Sequence, residues 1–308
     1  SSSDMIIAKF NSNGVRQWAT YYGDNGLDDG RFIAVKNNFL VVSGYIQGAP
    51  TGLTTPGAYQ TSYGGGLGDA FIARFNLNGF LEWGSFYGGN DDDFGFGCTI
   101  DNNDNIYLTA YTYSSGLSTA GAHQTIHAGN KDGLLVKFNS SGTRLWATYY
   151  GGIGYDEGYR VVTDNNNNVY FGGFGTSSNL ATTGTFQSSN NGNDDSFLVK
   201  FNSNGVRQWA TYCGGAGNDR LYGLFIDANS DLYFTGYTSS TGTISSGCVS
   251  QTSLGGSFDA YLMKFNNNGQ RIWGTYYGGN NNDTGFDIGM DSFGSIYLTG
   301  RTSSSNNI

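Results

Sequence analysis

Residues 195–214 read DSFLVKFNSNGVRQWATYCG: an Asp, a short apolar strand ending in Lys-Phe-Asn, a glycine turn, a Trp and an aromatic-rich finish. The same repeat is written as DMIIAKFNSNGVRQWATYYG from Asp4, DAFIARFNLNGFLEWGSFYG from Asp69, DGLLVKFNSSGTRLWATYYG from Asp132 and DAYLMKFNNNGQRIWGTYYG from Asp259. Subtracting neighbouring starts (4, 69, 132, 195, 259) gives spacings of 65, 63, 63 and 64 residues, and so regular a period marks a repeat architecture. All five tryptophans, Trp18, Trp83, Trp146, Trp209 and Trp273, hold one position of the repeat.

Between successive Trp segments lie two more alternating stretches, such as GFGCTID with NIYLTAYT, GYRVVTD with NVYFGGFG, and GLFID with LYFTGYT. Each period therefore carries four strands, designated A and B (the two stretches just quoted), C (from the repeat's Asp) and D (through the Trp). The C–D connection has a glycine at Gly14, Gly79, Gly142, Gly205 and Gly269, where a hairpin needs positive φ. The A–B connections, Asp101 to Asn105, Asp164 to Asn168 and Asp227 to Asp231, are Asn/Asp turns. Four short strands per repeat suit propeller blades.

The expected fold is all-β, a five-bladed β-propeller of four-stranded antiparallel blades forming one domain over residues 1–308. The chain opens on strands C and D and closes on A and B, so the N-terminal pair is expected to join the C-terminal pair in one blade and close the ring. The alternative is part of a larger, seven-bladed propeller. Gly at 50 residues against Pro at 2 fits many strands joined by tight turns.

A formal net charge of −9 lacks the basic footprint of a nucleic-acid binder. No apolar run approaches the roughly 20 residues that span a bilayer. Starting at Ser1, the chain is expected to be a processed or excised piece of a longer one. Cys98 stands where other copies have Ile33, Val161, Leu224 and Ile288, and reads as a small buried hydrophobe. Cys213 replaces the Tyr found at Tyr22, Tyr87, Tyr150 and Tyr277, and Cys248 replaces a small loop residue; two departures in neighbouring repeats suggest a Cys213–Cys248 disulfide.

The composite of Gly57-Ala58-Tyr59-Gln60 and Gly121-Ala122-His123-Gln124 loops, D-A-F-x-x-K-F-like strands, W-x-x-x-Y-G-G ends and D-x-x-x-N-x-Y-L-T-G hairpins resembles the SBBP beta-propeller repeat family over practically the whole chain. The resemblance implies a bacterial surface or secreted protein, often multidomain, and in Bacteroidetes-like bacteria commonly exported by the type IX pathway. It implies no fixed ligand. The copies depart from the pattern at Lys36, where others have Asp101, Asp164, Asp227 and Asp291, and in the Gly247–Gln251 loop, which carries an extra residue.

The D–A and B–C loops share one face, and the B–C loops are long, so binding is expected there. Tyr59, Gln60, Tyr63, His123, Gln124, Phe186, Gln187 and Gln251 offer rings beside amides, a mixture suited to a glycan or a surface protein. The competing reading has the four glutamines pinning each loop to its blade. Asp28, Asp93, Asp156, Asp219 and Asp283 recur in the D–A loops; they would suit calcium, which takes about six to eight oxygens, or would accept hydrogen bonds from their own loops. The tryptophans read as interblade packing, and Lys9, Arg74, Lys137, Lys200 and Lys264 as partners of A-strand aspartates in blade-to-blade ion pairs. Two histidines, His123 and His127, and no recurring nucleophile with a base argue against an enzyme. The expected function is a non-enzymatic extracellular or cell-surface recognition or adhesion module, partnered by other domains of the same polypeptide and needing no cofactor. A rigid spacer or docking scaffold is the alternative, and a glycan-active enzyme a third.

Overall fold

The computed structural model describes residues 3–24, 26–48, 51–247 and 249–305. Among them are twenty strands and no helix. The chain divides into two compact units, residues 1–127 with 131–149, and residues 128–130 with 150–308.

In the first unit, β1 (Met5–Phe10) pairs with β2 (Arg16–Tyr22) in a two-stranded sheet. Two four-stranded antiparallel sheets follow: β3 (Asp28–Lys36), β4 (Phe39–Ile46), β5 (Asp69–Asn76) and β6 (Leu81–Tyr87), then β7 (Asp93–Ile100), β8 (Ile106–Thr112), β9 (Asp132–Phe138) and β10 (Arg144–Tyr150), each in sequence order. The second unit has the same build. Its four-stranded sheets are β11 (Asp156–Thr163), β12 (Val169–Gly175), β13 (Asp195–Phe201) and β14 (Arg207–Cys213), and β15 (Asp219–Ile226), β16 (Leu232–Thr238), β17 (Asp259–Phe265) and β18 (Arg271–Tyr277). It ends on the two-stranded β19 (Asp283–Met290) and β20 (Ile296–Thr302). Repeated four-stranded antiparallel sheets in an A–B–C–D order are the build of propeller blades.

The turns form for the reasons their residues supply. The C–D hairpins place Gly14, Gly79, Gly142, Gly205 and Gly269 at φ between 75° and 84°. In the A–B turns the left-handed residue is Asn37, Asp104, Asn167, Ser230 or Gly294. An aspartate before each of the last four turns caps the backbone: Asp101 Oδ1 accepts from the amides of Asn103 and Asn105, and its Oδ2 from the Tyr107 hydroxyl. Asp164, Asp227 and Asp291 repeat this capping. Lys36 breaks it, and its ammonium instead reaches the Asp101 carbonyl and Asn102 Oδ1.

Blades are locked to one another by a recurring contact. Trp18 Nε1 donates to the Leu77 carbonyl at 2.9 Å, Trp83 to Ser140 at 3.0 Å and Trp209 to Asn267 at 2.9 Å, each carbonyl lying in the next blade's C–D turn. The indoles lie against Gly79, Gly142 and Gly269, where a Cβ would meet ring atoms within about 3 Å. The strand-C cations use the same carbonyls: Lys9 donates to Leu77, Arg74 to Ser140 and Lys200 to Asn267. This differs from the expected chain of ion pairs. Only Lys137 and Lys264 among the described strand-C cations meet an A–B turn aspartate, Asp101 at 3.8 Å and Asp231 at 2.8 Å. A turn carbonyl is thus the partner of Lys9, Arg74 and Lys200, whereas the side-chain anion varies.

The expected union of β1–β2 with β19–β20 in one sheet is not found among the described residues; each hairpin stands as its own sheet. A hairpin without its blade partners leaves bare a face that is buried elsewhere. Ile6 is 67% and Tyr21 76% exposed, against 1% for the equivalent Phe71 and Phe86.

Cys98 is buried as expected, beside Val41. Cys213 is a free, buried thiol, and its expected partner Cys248 lies outside the described residues. Cys213 shares a buried cluster with Leu198, Leu221 and Tyr261. Tyr261 stands where Phe71, Leu134 and Phe197 stand, and its hydroxyl meets Ser196 Oγ at 2.9 Å; Ser196 is the register partner of Cys213. Burial pushes the Cys213 thiol and the Tyr261 phenol well above their ordinary values, so both are neutral.

Candidate functional site: the loop end of the blades

The four loop glutamines are spent inside the fold. Gln187 Nε2 donates to the Ser189 carbonyl at 2.9 Å and to Asp195 Oδ2 at 2.7 Å, while its Oε1 accepts from the Gly214 amide at 3.0 Å. Gln60 and Gln251 make the same three bonds, to Ser62, Asp69 and Gly88, and to Ser253, Asp259 and Gly278. Gln124 reaches Ile126 and Asp132. Each glutamine thus ties its B–C loop to the aspartate that opens strand C.

The D–A aspartates are held as tightly. Asp93 accepts from the Gly89 amide, Ser114 Oγ and Thr112 Oγ1; Asp219 accepts from Gly215, Ser240 and Thr238 in the same way. Asp156 takes the Gly152 amide, Asp283 the Gly279 amide and Ser304 Oγ, and Asp28 the Asp24 amide. Among the described residues no three His, Cys, Asp or Glu side chains are grouped to hold a metal ion.

Strand-C and D–A aspartates face each other across a glycine. A Cβ on Gly23, Gly88, Gly214 or Gly278 would come closer than 3.0 Å to both members of the pair Asp4/Asp28, Asp69/Asp93, Asp195/Asp219 or Asp259/Asp283. The Oδ1 atoms of Asp69 and Asp195 are buried without a hydrogen-bond partner. Burial and then the neighbouring carboxylate drive these groups up: Asp69 to about 7 and Asp195 to about 7. Burial likewise lifts Asp93 to about 6, and it raises Asp28 and Asp219. At Asp283 burial also pushes upward, but hydrogen bonds from Thr302, Gly279 and Ser304 outweigh it and lower the value.

The expected ring contacts also go into packing. Tyr59 stacks on Tyr87 with centroids 5.1 Å apart, under the Arg144 guanidinium at 4.3 Å. Phe186 meets Phe265 edge-on at 5.5 Å beneath Arg271 at 4.4 Å. Tyr63 donates to the Gly66 carbonyl and abuts Phe86. His123 lies exposed on its loop.

A different set of side chains is gathered at the same end. Strand A of every repeat carries a bulge two residues after its register with strand B begins, and the bulged residues are Arg31, Phe96 with Gly97, Tyr159, Tyr222 and Phe286. A bulge turns an extra side chain out of the pleat, here always a large one. Just before it sits a cross-strand pair that differs in every copy: Asp29/Tyr45, Phe94/Tyr111, Glu157/Phe174, Arg220/Tyr237 and Thr284/Arg301.

In the first unit Arg31 lies over Tyr45 at 5.3 Å and Phe96 at 5.8 Å, paired with Asp29 at 2.7 Å, and Lys131 lies over Tyr111 at 4.5 Å. In the second, Tyr222 is ringed by Tyr159, Phe286, Tyr237 and Phe174 at 5.2, 5.9, 6.0 and 6.1 Å. Sequence reading passed over these positions because a bulge leaves no gap in an alternating pattern. The signal was the large residue that recurs three places after each D–A aspartate.

The chain is 24% identical to an uncharacterized WD repeat-containing protein of Acanthamoeba polyphaga mimivirus across 85% of its own length, and spans 23% of that relative. Solved structures similar to it include a protein of unknown function from Bacteroides caccae (10% identity, 86% of each chain, TM-score 0.32). Another is a protein of unknown function from Dyadobacter fermentans (9% identity, 88% of this chain and 74% of that one, TM-score 0.45). Residues 272–308 match the family model described as SBBP: Beta-propeller repeat, so the chain carries a repeat of that family within a scaffold of repeated four-stranded antiparallel sheets.

Proposed function

We propose that the chain is a non-enzymatic recognition module of a larger bacterial surface or secreted protein, binding glycan or protein through the face bearing its D–A and B–C loops. The observation that supports this reading is the bulge with its varying pair: the scaffold is repeated, and side-chain chemistry changes from blade to blade at one place. Packing residues such as the tryptophans recur unchanged; residues selected for contact with an asymmetric partner need not. Glutamine-anchored loops then act as a rigid rim. Five blades, with β1–β2 completing the blade begun by β19–β20, are part of the same proposal.

Arrays of glycans and matrix proteins probed with the intact chain test the function. Binding weakened by substitutions at the bulge supports it. No binding at high concentration refutes it and favours a rigid spacer. Hydrogen exchange on the intact chain tests closure: slow exchange of the outer-edge amides of β1 and β20 is expected, and fast exchange at both refutes the ring.

A further inference from the structure

We propose that the aromatic cluster around Tyr222 is a subsite for the ring of a neutral sugar. This rests on the reading of the chain as a recognition module and names its ligand class.

Tyr222 is the bulged residue of β15, so its ring stands clear of the ladder among Tyr159, Tyr237, Phe174 and Phe286, with Phe258 extending the surface 4.9 Å from Tyr237. Phe286, itself bulged from β19, is 46% exposed, and Tyr159, Tyr222 and Tyr237 are half-buried. Phe174 is buried, so the accessible parts of Tyr159, Tyr222, Tyr237 and Phe286 stand over a closed base.

A fixed polar group borders it. Arg220 stacks over Phe174 at 4.5 Å, and its Nε and Nη2 donate to Asp194 Oδ2 at 2.6 and 2.5 Å. Asp194 is buried, and its other oxygen accepts from the Tyr155 hydroxyl at 2.5 Å. The guanidinium is thus held in place before any ligand arrives, while 31% of the side chain remains exposed.

Charge selects the ligand. Arg220 is already paired with Asp194, Arg160 approaches Asp287 at 4.0 Å, and Glu157 adds a further acid, so the charged groups beside the rings carry no positive excess. With a formal charge of −9 on the chain, a sulfated or phosphorylated polymer is repelled. Apolar side chains would cover the phenols and the guanidinium with groups unable to bond them. A neutral pyranose matches both features: its C–H faces lie on rings, and its hydroxyls exchange hydrogen bonds with phenols and guanidinium.

The test is calorimetric titration of the intact chain with cellotetraose, maltotetraose and xylotetraose, beside a heparin oligosaccharide and a panel of matrix proteins. Saturable binding of at least one neutral tetraose is expected. Phe286→Ala, at an exposed position, should weaken it about tenfold with the melting midpoint unchanged. Tyr222→Ala should weaken it at least as much, and Phe293→Ala, in the exposed turn between β19 and β20, should leave it intact. Neutral-sugar binding indifferent to Phe286→Ala and Tyr222→Ala overturns the site. Phe286-dependent binding of heparin or a protein, with none of a neutral sugar, overturns the sugar class and leaves the recognition function standing. Absence of binding to every probe overturns both.

Discussion

Asp69→Asn should make the protein more stable at pH 8 and less dependent on pH. The Asp69 carboxyl is fully buried and its Oδ2 accepts from the Gly64 amide and Gln60, but its Oδ1 has no partner and lies across Gly88 from Asp93. Its folded value is raised from 3.8 to about 7, so the native state favours the protonated form. The associated stability is complete below the unfolded value and is lost as pH rises through about 7. A shift from 3.8 to about 7 corresponds to about 4 kcal/mol at most, and the part arising from Asp93 is shared with that residue, leaving roughly 2–4 kcal/mol to be lost between pH 4 and 8. Asn keeps the acceptor for Gly64 and places an amide toward Asp93, which removes the cost. At pH 8 the melting midpoint of Asp69→Asn should exceed wild type by about 4–8 °C, with a smaller or reversed difference at pH 4.5. Differential scanning fluorimetry across pH 4–9, with urea titrations at both ends, reads both quantities. Wild-type stability that rises steadily from pH 5 to 8, or an Asp69→Asn variant equally destabilised at both ends, would refute the reasoning.

Cys213→Tyr restores the residue of the other repeats but sets it against the Tyr261 hydroxyl, which Phe71, Leu134 and Phe197 lack, and should cost about 1–3 kcal/mol; Tyr261→Phe with Ser196→Ala in the same chain should recover most of it in urea denaturation, and a harmless single substitution would show that the hydroxyl is no obstacle. Gln187→Ala removes the amide bonds to Asp195, Ser189 and Gly214 and should cost about 1–3 kcal/mol; limited proteolysis should then cut between residues 176 and 194 faster than in wild type, and an unchanged digestion pattern would count against the anchoring role.

Strand starts and turns were legible because local chemistry sets them. Asp69, Asp132, Asp195 and Asp259 open strands as the repeat implies, and the turn glycines adopt the positive φ their place demands. Burial was less legible. Residues 11–21 and 202–212 have one sequence, NSNGVRQWATY, yet Tyr21 is among the most exposed aromatics and Tyr212 is wholly buried. The difference lies in what covers each hairpin, which no local pattern encodes. The roles of Gln60 and Tyr59 were ambiguous for a related reason: an amide and a ring on a loop look alike whether they face a ligand or the next blade. Partners settle the matter, and these come from Asp69 and Gly88 in one case and from Tyr87 and Arg144 in the other. The bulges escaped because an unpaired residue changes register without changing composition.

The Cys213 site bears on how such a chain can evolve. In the same buried cluster stands Tyr261 of the following repeat, whose hydroxyl reaches back to a serine on the cysteine's own sheet. Neither repeat is therefore a self-sufficient cassette. Exchanging either alone would part the Tyr261 hydroxyl from its serine, because Ala70, Gly133 and Ala260 stand where Ser196 does. Gene rearrangements that treat 63 or 64 residues as interchangeable should be tolerated less well at this junction than elsewhere in the array.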